Sequence, residues 1–361
     1  MVLYFRSMGI KKVRLIDFRN FKKKVLEFSD GITVIVGPNA SGKTNILESL
    51  FLLSSGKSFK AKIEAEIIAH NASITRLCST GYDGQASLEV VITRGENGWP
   101  KKRLLTNGVS KRLIDFAGNF RVTLFGPWDM DLVTGSPSLR RKFMDMVLSQ
   151  IDREYRRAIL LYEKGLRQRN KLLYRIREEG LSRSQLLFWD KLLIKNGNYI
   201  STKRKEFVDF INATGSLNDQ EFKLTYDNSA ISQGRLEQYA NEEIASATTL
   251  VGPHRDDIRF SITNFQLSNP KKRDLSIYGS RGEQRMAVLW LKLAELAFIE
   301  AKTGERPTLL LDDIFSELDH EHRKVVTKVL GKQQTIITTA DKHFLKGLKN
   351  NSVLYFPQDV R

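Results

Sequence analysis

Apolar and polar positions change period twice along the chain. From Gly9 to about Leu124 short strand-like runs dominate: Lys11 to Ile16, Val25 to Phe28, Ile32 to Val36 and Ser87 to Thr93. The run Ile32 to Val36 is apolar on both faces, as a buried central strand is. Asn97-Gly98 and Asn107-Gly108 sit among these runs and predict tight hairpin turns. One helical run, Asn45 to Leu53, follows Val36.

After Gly135-Ser136-Pro137 the spacing becomes helical. Phe143, Val147, Ile151, Tyr155, Ile159, Tyr162, Leu166, Leu173 and Ile176 recur at steps of three, four and seven. Glu178-Glu179-Gly180 interrupts the stripe, and Leu186, Leu193, Ile200, Phe207 and Ile211 resume it. Two long antiparallel helices are predicted. Strand character returns at Asp257 to Ile262, then a helix from about Gly282 to Ala301, then strands Thr308 to Leu311 and Thr335 to Thr339. The expected architecture is therefore α/β: a lobe of mixed sheet and helices, residues 1–124 and 249–361, interrupted by a helical lobe with a short antiparallel arm, residues 125–248.

Composition narrows the class. A chain of 361 residues with 41% hydrophobic and 27% charged residues can bury a sizeable core, which excludes wholesale disorder. Its 58 Lys+Arg against 41 Asp+Glu give a net charge of +17, which favours an anionic polymer as partner. Residues 131–200 alone hold 15 Lys+Arg against 8 Asp+Glu. Cys78 is the single cysteine, so neither an internal disulfide nor a cysteine-rich zinc site is possible. No apolar run approaches the roughly 18 to 20 residues that span a bilayer, no membrane partner is expected, and the cytoplasm is the expected compartment. Patterned sequence begins at Gly9, which makes Met8 an alternative start to Met1.

Specific chemistry enters at Gly37, Pro38, Asn39, Ala40, Ser41, Gly42, Lys43 and Thr44, which match G-x-x-x-x-G-K-[ST] between a buried strand and a helix. Glycines let the backbone approach closely, and the amides at the helix start favour phosphate oxygens. Lys43 is expected on the β and γ phosphates of ATP, and the Thr44 hydroxyl on Mg²⁺. That metal needs a carboxylate from a neighbouring strand, and Leu309 to Leu311 run into Asp312 and Asp313. Asp312 would orient the metal, while Asp313 would polarise the attacking water as the catalytic residue. A third piece, Ser280, Arg281, Gly282, Glu283 and Gln284, opens an amphipathic helix and could clamp phosphate or merely cap that helix.

Ser280 to Gln284 resembles the signature segment of ABC-type ATPases, where serine and glycine of one protomer contact the γ-phosphate held by the other. Further segments narrow the likeness: Phe18-Arg19-Asn20-Phe21, Gly135 to Phe143, Arg167 to Leu173, and Gly252-Pro253-His254-Arg255-Asp256-Asp257. In this order and spacing they resemble the RecF family, over nearly the whole chain from Gly9. The resemblance implies a slow, DNA-stimulated ATPase that uses ATP and Mg²⁺ and dimerises around two nucleotides on duplex DNA or single-strand/duplex junctions. It also implies the partners RecO and RecR, loading of RecA at gaps, and roles in replication, repair and the SOS response. Ser316 to Asp319 resembles the D-loop of such dimer interfaces.

Departures from the pattern accompany the likeness. Thr338-Thr339-Ala340-Asp341 occupies the place of the switch histidine of many ABC ATPases, Ser58-Phe59-Lys60 replaces Ser-His-Arg, and Pro127-Trp128-Asp129 brings no glutamine to the Q-loop region. For DNA the candidates are Lys11, Lys12, Lys22, Lys23, Lys24, Arg140, Arg141, Lys142, Arg153, Arg156, Arg157, Arg167 and Arg169. Two other readings stay open: an SMC-like bridging ATPase, although about 75 inserted residues allow only short arms, and a metal-dependent nuclease built on His254, Asp256 and Asp257.

Overall fold

A computed structural model describes residues 9–81, 87–95, 99–217, 220–264, 272–317, 320–341 and 351–356. The chain separates into two compact units, Met1–Asp129 with Glu295–Arg361, and Met130–Ala294.

The first unit is built on two sheets. Strands β1 (Ile10–Phe18), β2 (Phe21–Glu27), β4 (Ile74–Gly81), β5 (Ser87–Thr93), β6 (Lys101–Thr106) and β7 (Val109–Lys111) form an antiparallel sheet in the order β2-β1-β4-β5-β6-β7. Strands β3 (Ile32–Val36), β8 (Val122–Phe125), β12 (Thr308–Asp312), β13 (Thr335–Thr339) and β14 (Asn351–Tyr355) form a parallel sheet ordered β14-β3-β13-β12-β8. Every residue of β3, β12 and β13 is buried, as their unbroken apolar runs require. The helix Lys43–Ser55 contacts strands of both sheets and buries Ile46, Leu47, Leu50, Phe51, Leu52 and Leu53. None of its residues is exposed, and the polar side chains of Glu48, Ser49 and Ser54 are buried along with the apolar ones. The turn Asn107-Gly108 joins β6 to β7 with φ of 51° and 75°, the left-handed pair a two-residue hairpin needs. Asn97-Gly98 lies outside the described residues.

The second unit carries the long helices Arg153–Glu179 and Leu187–Asn212, preceded by Pro137–Ile151. The expected first helix is thus two. Asp152 leaves helical geometry at φ −126°, and its carboxylate accepts the Tyr155 N–H at 3.0 Å, so an N-cap breaks the run. Gly180, at φ 68°, ends the arm's first helix where the sequence placed the break. Beside the helices lies a three-stranded sheet, β11 (Arg273–Asp274), β10 (Asp257–Asn264) and β9 (Gln220–Asp227).

That small sheet corrects the expected boundaries. β10 pairs with β9 along its whole length, from Asp257↔Asp227 to Asn264↔Gln220. Residues 249–294 therefore belong with the helical unit rather than with the ATPase half, and the other boundary moves from 124 to 129.

Candidate functional site

The phosphate loop leaves β3 at Val36 and is pinned at once, Gly37 N–H donating to Thr339 O at 3.2 Å. It re-enters helix at Lys43 through Gly42, whose φ of 98° suits glycine alone. A Cβ at Gly42 would stand 2.6 Å from Asn20 Nδ2 and 2.7 Å from Phe21 Cζ. The Arg19-Asn20 turn between β1 and β2 is thus the seat of the loop, which gives the Phe-Arg-Asn-Phe segment a physical role. Arg19 reaches the helix behind the loop with its Nε–Nη2 edge on both oxygens of buried Glu48, at 2.8 and 2.6 Å, and Ser58 donates to the same carboxylate. Phe356 closes the other side, its N–H on Val36 O at 2.8 Å and its Cβ where a Gly37 side chain would go.

Inside this frame Lys43 Nζ donates to Gly37 O at 2.8 Å and Pro38 O at 2.9 Å, so the ammonium lies across the loop's own concavity. Burial pulls its pKa down, opposed by the charges of Asp313 and Asp312. Ser41 Oγ is buried and has no hydrogen-bond partner among the described residues. An orphaned hydroxyl beside a buried ammonium and a glycine that admits no side chain suits a phosphate oxygen.

The acids face the same loop. Asp312, the last residue of β12, accepts from Thr44 Oγ1 at 2.8 Å and from Thr338 Oγ1 at 2.6 Å, so hydroxyls and no cation partner it here. Hydroxyl and carboxylate oxygens suit Mg²⁺, which takes its remaining ligands from phosphates and water. Asp313, one residue on, sits at φ 49°, with its N–H on Thr338 Oγ1 at 3.1 Å. The structure brings Lys43, Thr44, Asp312 and Asp313 together, joined by Glu48 and Phe356, which no motif marks, and by Thr338, which the sequence places only in the segment at the switch histidine's position. Phe59 and Trp128 stack on each other at 5.0 Å, with Phe51 edge-on to Phe59 at 5.4 Å, near the end of the phosphate-loop helix.

The signature segment lies in the other unit and forms a reciprocal cap. Ser280 N–H donates to Glu283 Oε2 at 2.8 Å, and Glu283 N–H to Ser280 Oγ at 3.2 Å. Burial raises the Glu283 carboxyl, but bonds from Ser280 and the Arg273 charge hold it below its usual range. Gln284 Nε2 bonds Leu275 O at 2.9 Å. Ser280, Arg281 and Gly282 are exposed, and a side chain at Gly282 would meet only Ser280 Oγ, at 4.0 Å. Leu318 and Asp319 of the D-loop segment lie outside the described residues.

The Gly252 to Asp257 segment is a structural knot. Asp256 accepts from Arg204 Nη1 at 2.9 Å, Ser229 N at 2.8 Å and the Tyr226 hydroxyl. Asp257 takes the Nε–Nη2 edge of Arg140 on its two oxygens, at 2.7 and 2.9 Å. His254 lies between the Tyr162 hydroxyl at 2.8 Å and Thr249 O at 3.0 Å; burial pulls its pKa down to about 4, helped by the Arg255 and Arg141 charges. Each candidate nuclease ligand is committed to the protein itself. Among the described residues no group of three His, Cys, Asp or Glu side chains could hold a metal.

Two DNA candidates are also withdrawn by burial. Arg140 is 8% exposed and spent on Asp257; Arg169 is 2% exposed, bonding Asp190 at 2.7 Å, Glu243 at 2.7 Å and Thr249 Oγ1 at 2.9 Å. Arg141 is half-buried with Nη1 on Asp256 O, Arg156 bonds Ser149 O, and Lys24 covers the Phe356 ring at 4.4 Å. Lys11, Lys22, Lys23, Lys142, Arg153, Arg157 and Arg167 are exposed, and Lys12 is half-exposed against Glu27. Strand register adds residues that the sequence did not single out. Direct cross-strand pairing aligns Lys23, Ile16, Arg76, Val91 and Arg103 in one row, with Arg14 on the same face of the sheet.

A phosphate loop after one parallel strand, two acids after another, and an exposed serine-glycine helix start define a P-loop ATPase of the ABC type. The RecF/RecN/SMC N-terminal domain family matches residues 9–360. The chain is 36% identical over 368 residues to the DNA replication and repair protein RecF of Herpetosiphon aurantiacus, covering 92% of this chain and 94% of that one. It is also 36% identical to RecF of Roseiflexus castenholzii, covering 92% and 93%. The solved structure of the recombination mediator protein RecF with ATP, in the RecFOR pathway, superposes with TM-score 0.84 at 31% identity, covering 97% and 95%. The Pyrococcus furiosus Smc head superposes at 0.52 with 17% identity, a likeness of fold. The chain belongs to the RecF family, and it is an ATP-hydrolysing protein of DNA replication and repair.

Proposed function

We propose that this chain is an ATP-switched DNA clamp, in which two copies pair across two ATP molecules on duplex or gapped DNA and hydrolysis releases them. In this reading Lys43 and the loop amides hold the phosphates, Thr44 and Asp312 hold Mg²⁺, and Asp313 orients the attacking water. Bound Mg²⁺ neutralises charge on the transferring phosphoryl group. Ser280 and Gly282 of one copy close on the γ-phosphate of the other.

The observation that carries pairing is the exposed start of the helix Arg281–Thr303. Ile277 and Tyr278, just before Ser280, are 70% and 66% exposed, apolar surface that a second copy would cover. The basic row Lys23, Arg76 and Arg103, with Arg14 and the exposed arginines of the helix Arg153–Glu179, supports duplex binding through phosphates, with little sequence preference and steep loss in salt. RecO and RecR are the proposed partners, and loading of RecA at gaps, with SOS induction, the proposed outcome. The arm helices, 27 and 26 residues long, reach only about 40 Å, too short for SMC-like bridging.

Light scattering with ATP tests the pairing. Ser280→Arg should bind ATP as wild type yet stay monomeric on duplex DNA. Normal pairing by that variant would remove the contact in trans.

A further inference from the structure

Thr338, the penultimate residue of β13, lies side by side with Asp312 in the parallel register and is completely buried. Its neighbours Ile336 and Ile337 are apolar, so packing alone would accept valine there. The hydroxyl is nonetheless used twice. It donates to Asp312 Oδ1 at 2.6 Å, far better than its 3.4 Å approach to Leu311 O, and it accepts the Asp313 N–H at 3.1 Å. Asp313 N–H also lies 3.1 Å from Thr338 O.

Both acids need such a restraint. Thr44 Oγ1 lies 2.8 Å from Asp312 Oδ2 and 3.1 Å from Oδ1 with one proton to share between them, so a separate donor on Oδ1 is what holds the carboxylate against rotation about its side-chain torsions. Asp313 holds φ at 49°, a left-handed conformation that strains a residue with a side chain and persists only where surroundings enforce it. One hydroxyl therefore ties the carboxylate of the first acid to the backbone of the second.

We infer that Thr338 is a positioning residue for ATP hydrolysis: it sets Asp312 for Mg²⁺ and fixes the backbone from which Asp313 acts. The inference rests on the proposed roles of Asp312 and Asp313. Thr338→Val removes the hydroxyl at nearly constant volume, and Thr338→Ser keeps it. In the full chain, kcat for ATP and the affinity for a fluorescent ATP analogue would be measured across a Mg²⁺ titration and in EDTA.

Thr338→Val should lower kcat about ten- to a hundredfold, the worth of a hydrogen bond to a charged group, and need more Mg²⁺ for tight binding. Its affinity in EDTA should equal wild type, and Thr338→Ser should restore both properties. Wild-type kcat and Mg²⁺ dependence in Thr338→Val would overturn the inference, as would equal damage in Thr338→Ser. Asp312→Asn separates the two claims. If it loses the Mg²⁺ dependence while Thr338→Val keeps it, only the role of Thr338 falls; if Asp312→Asn itself keeps it, the metal role of Asp312 falls too.

Discussion

Two Asp-Asp pairs in this chain look alike as sequence and end in opposite circumstances. Asp256 and Asp257 are saturated by Arg204, Tyr226, the Ser229 amide and the two-pronged edge of Arg140. Among the described residues Asp312 accepts from the hydroxyls of Thr44 and Thr338, and with Asp313 it acts through space on Lys43. A carboxylate whose lone pairs are filled by arginine stabilises a fold; one held by hydroxyls remains able to take a metal. The comparison separates a structural acid pair from a working one.

Cutting the saturated pair should have the largest effect. Asp256→Ala leaves buried Arg204 without one of its two carboxylates and should cost the Met130–Ala294 unit about 3–5 kcal/mol, read by thermal unfolding, while nucleotide affinity of the folded protein is unchanged. A loss of ATP affinity with no loss of stability would merge the two pairs. Next in size is acid sensitivity. His254 is neutral in the fold, with its pKa lowered from 6.5 to about 4, so its contribution is complete above about pH 6.5 and lost as pH falls toward 4. That slope is worth about 3 kcal/mol at most and should vanish in His254→Gln.

On the working side, Lys43→Ala should weaken ATP binding about a hundredfold, since it removes the ammonium proposed to bond the phosphates, while the lost bonds to Gly37 O and Pro38 O should shift unfolding far less than Asp256→Ala does. The smallest effect belongs to the basic row. Arg76→Ala should lower duplex affinity a few-fold and reduce the salt slope by about 1. Arg140→Ala should instead act on stability, through the ion pair it leaves open.

Much of the working pair was legible because its chemistry forces sequence. Glycine is required at Gly42, an apolar strand must precede the acids, and the phosphate loop has fixed spacing. The signature segment read both as a cap and as a clamp, and its cap is plain in the Ser280–Glu283 bonds. The contacts of Thr338 were illegible, since sequence shows that a buried strand carries a hydroxyl where valine would fit but not which atoms that hydroxyl meets. Glu48 carries no signal in the sequence, because nothing there places Arg19 beside it. Arg140 and Arg169 were misassigned for the same reason: charge shows in sequence, whereas the acid that buries it lies 117 or 21 residues away. β9 could have been found from the alternation Phe222, Leu224, Tyr226, and with it the boundary that places β10 in the helical unit.

The most direct test compares ATP hydrolysis by Asp313→Asn and Asp257→Asn at a temperature where both are folded. Asp313→Asn should bind ATP with wild-type affinity and hydrolyse it at least a hundredfold more slowly, about 3 kcal/mol of transition-state stabilisation, while Asp257→Asn hydrolyses at the wild-type rate. Wild-type hydrolysis by Asp313→Asn, or its loss in Asp257→Asn, would contradict the division between a working and a structural pair.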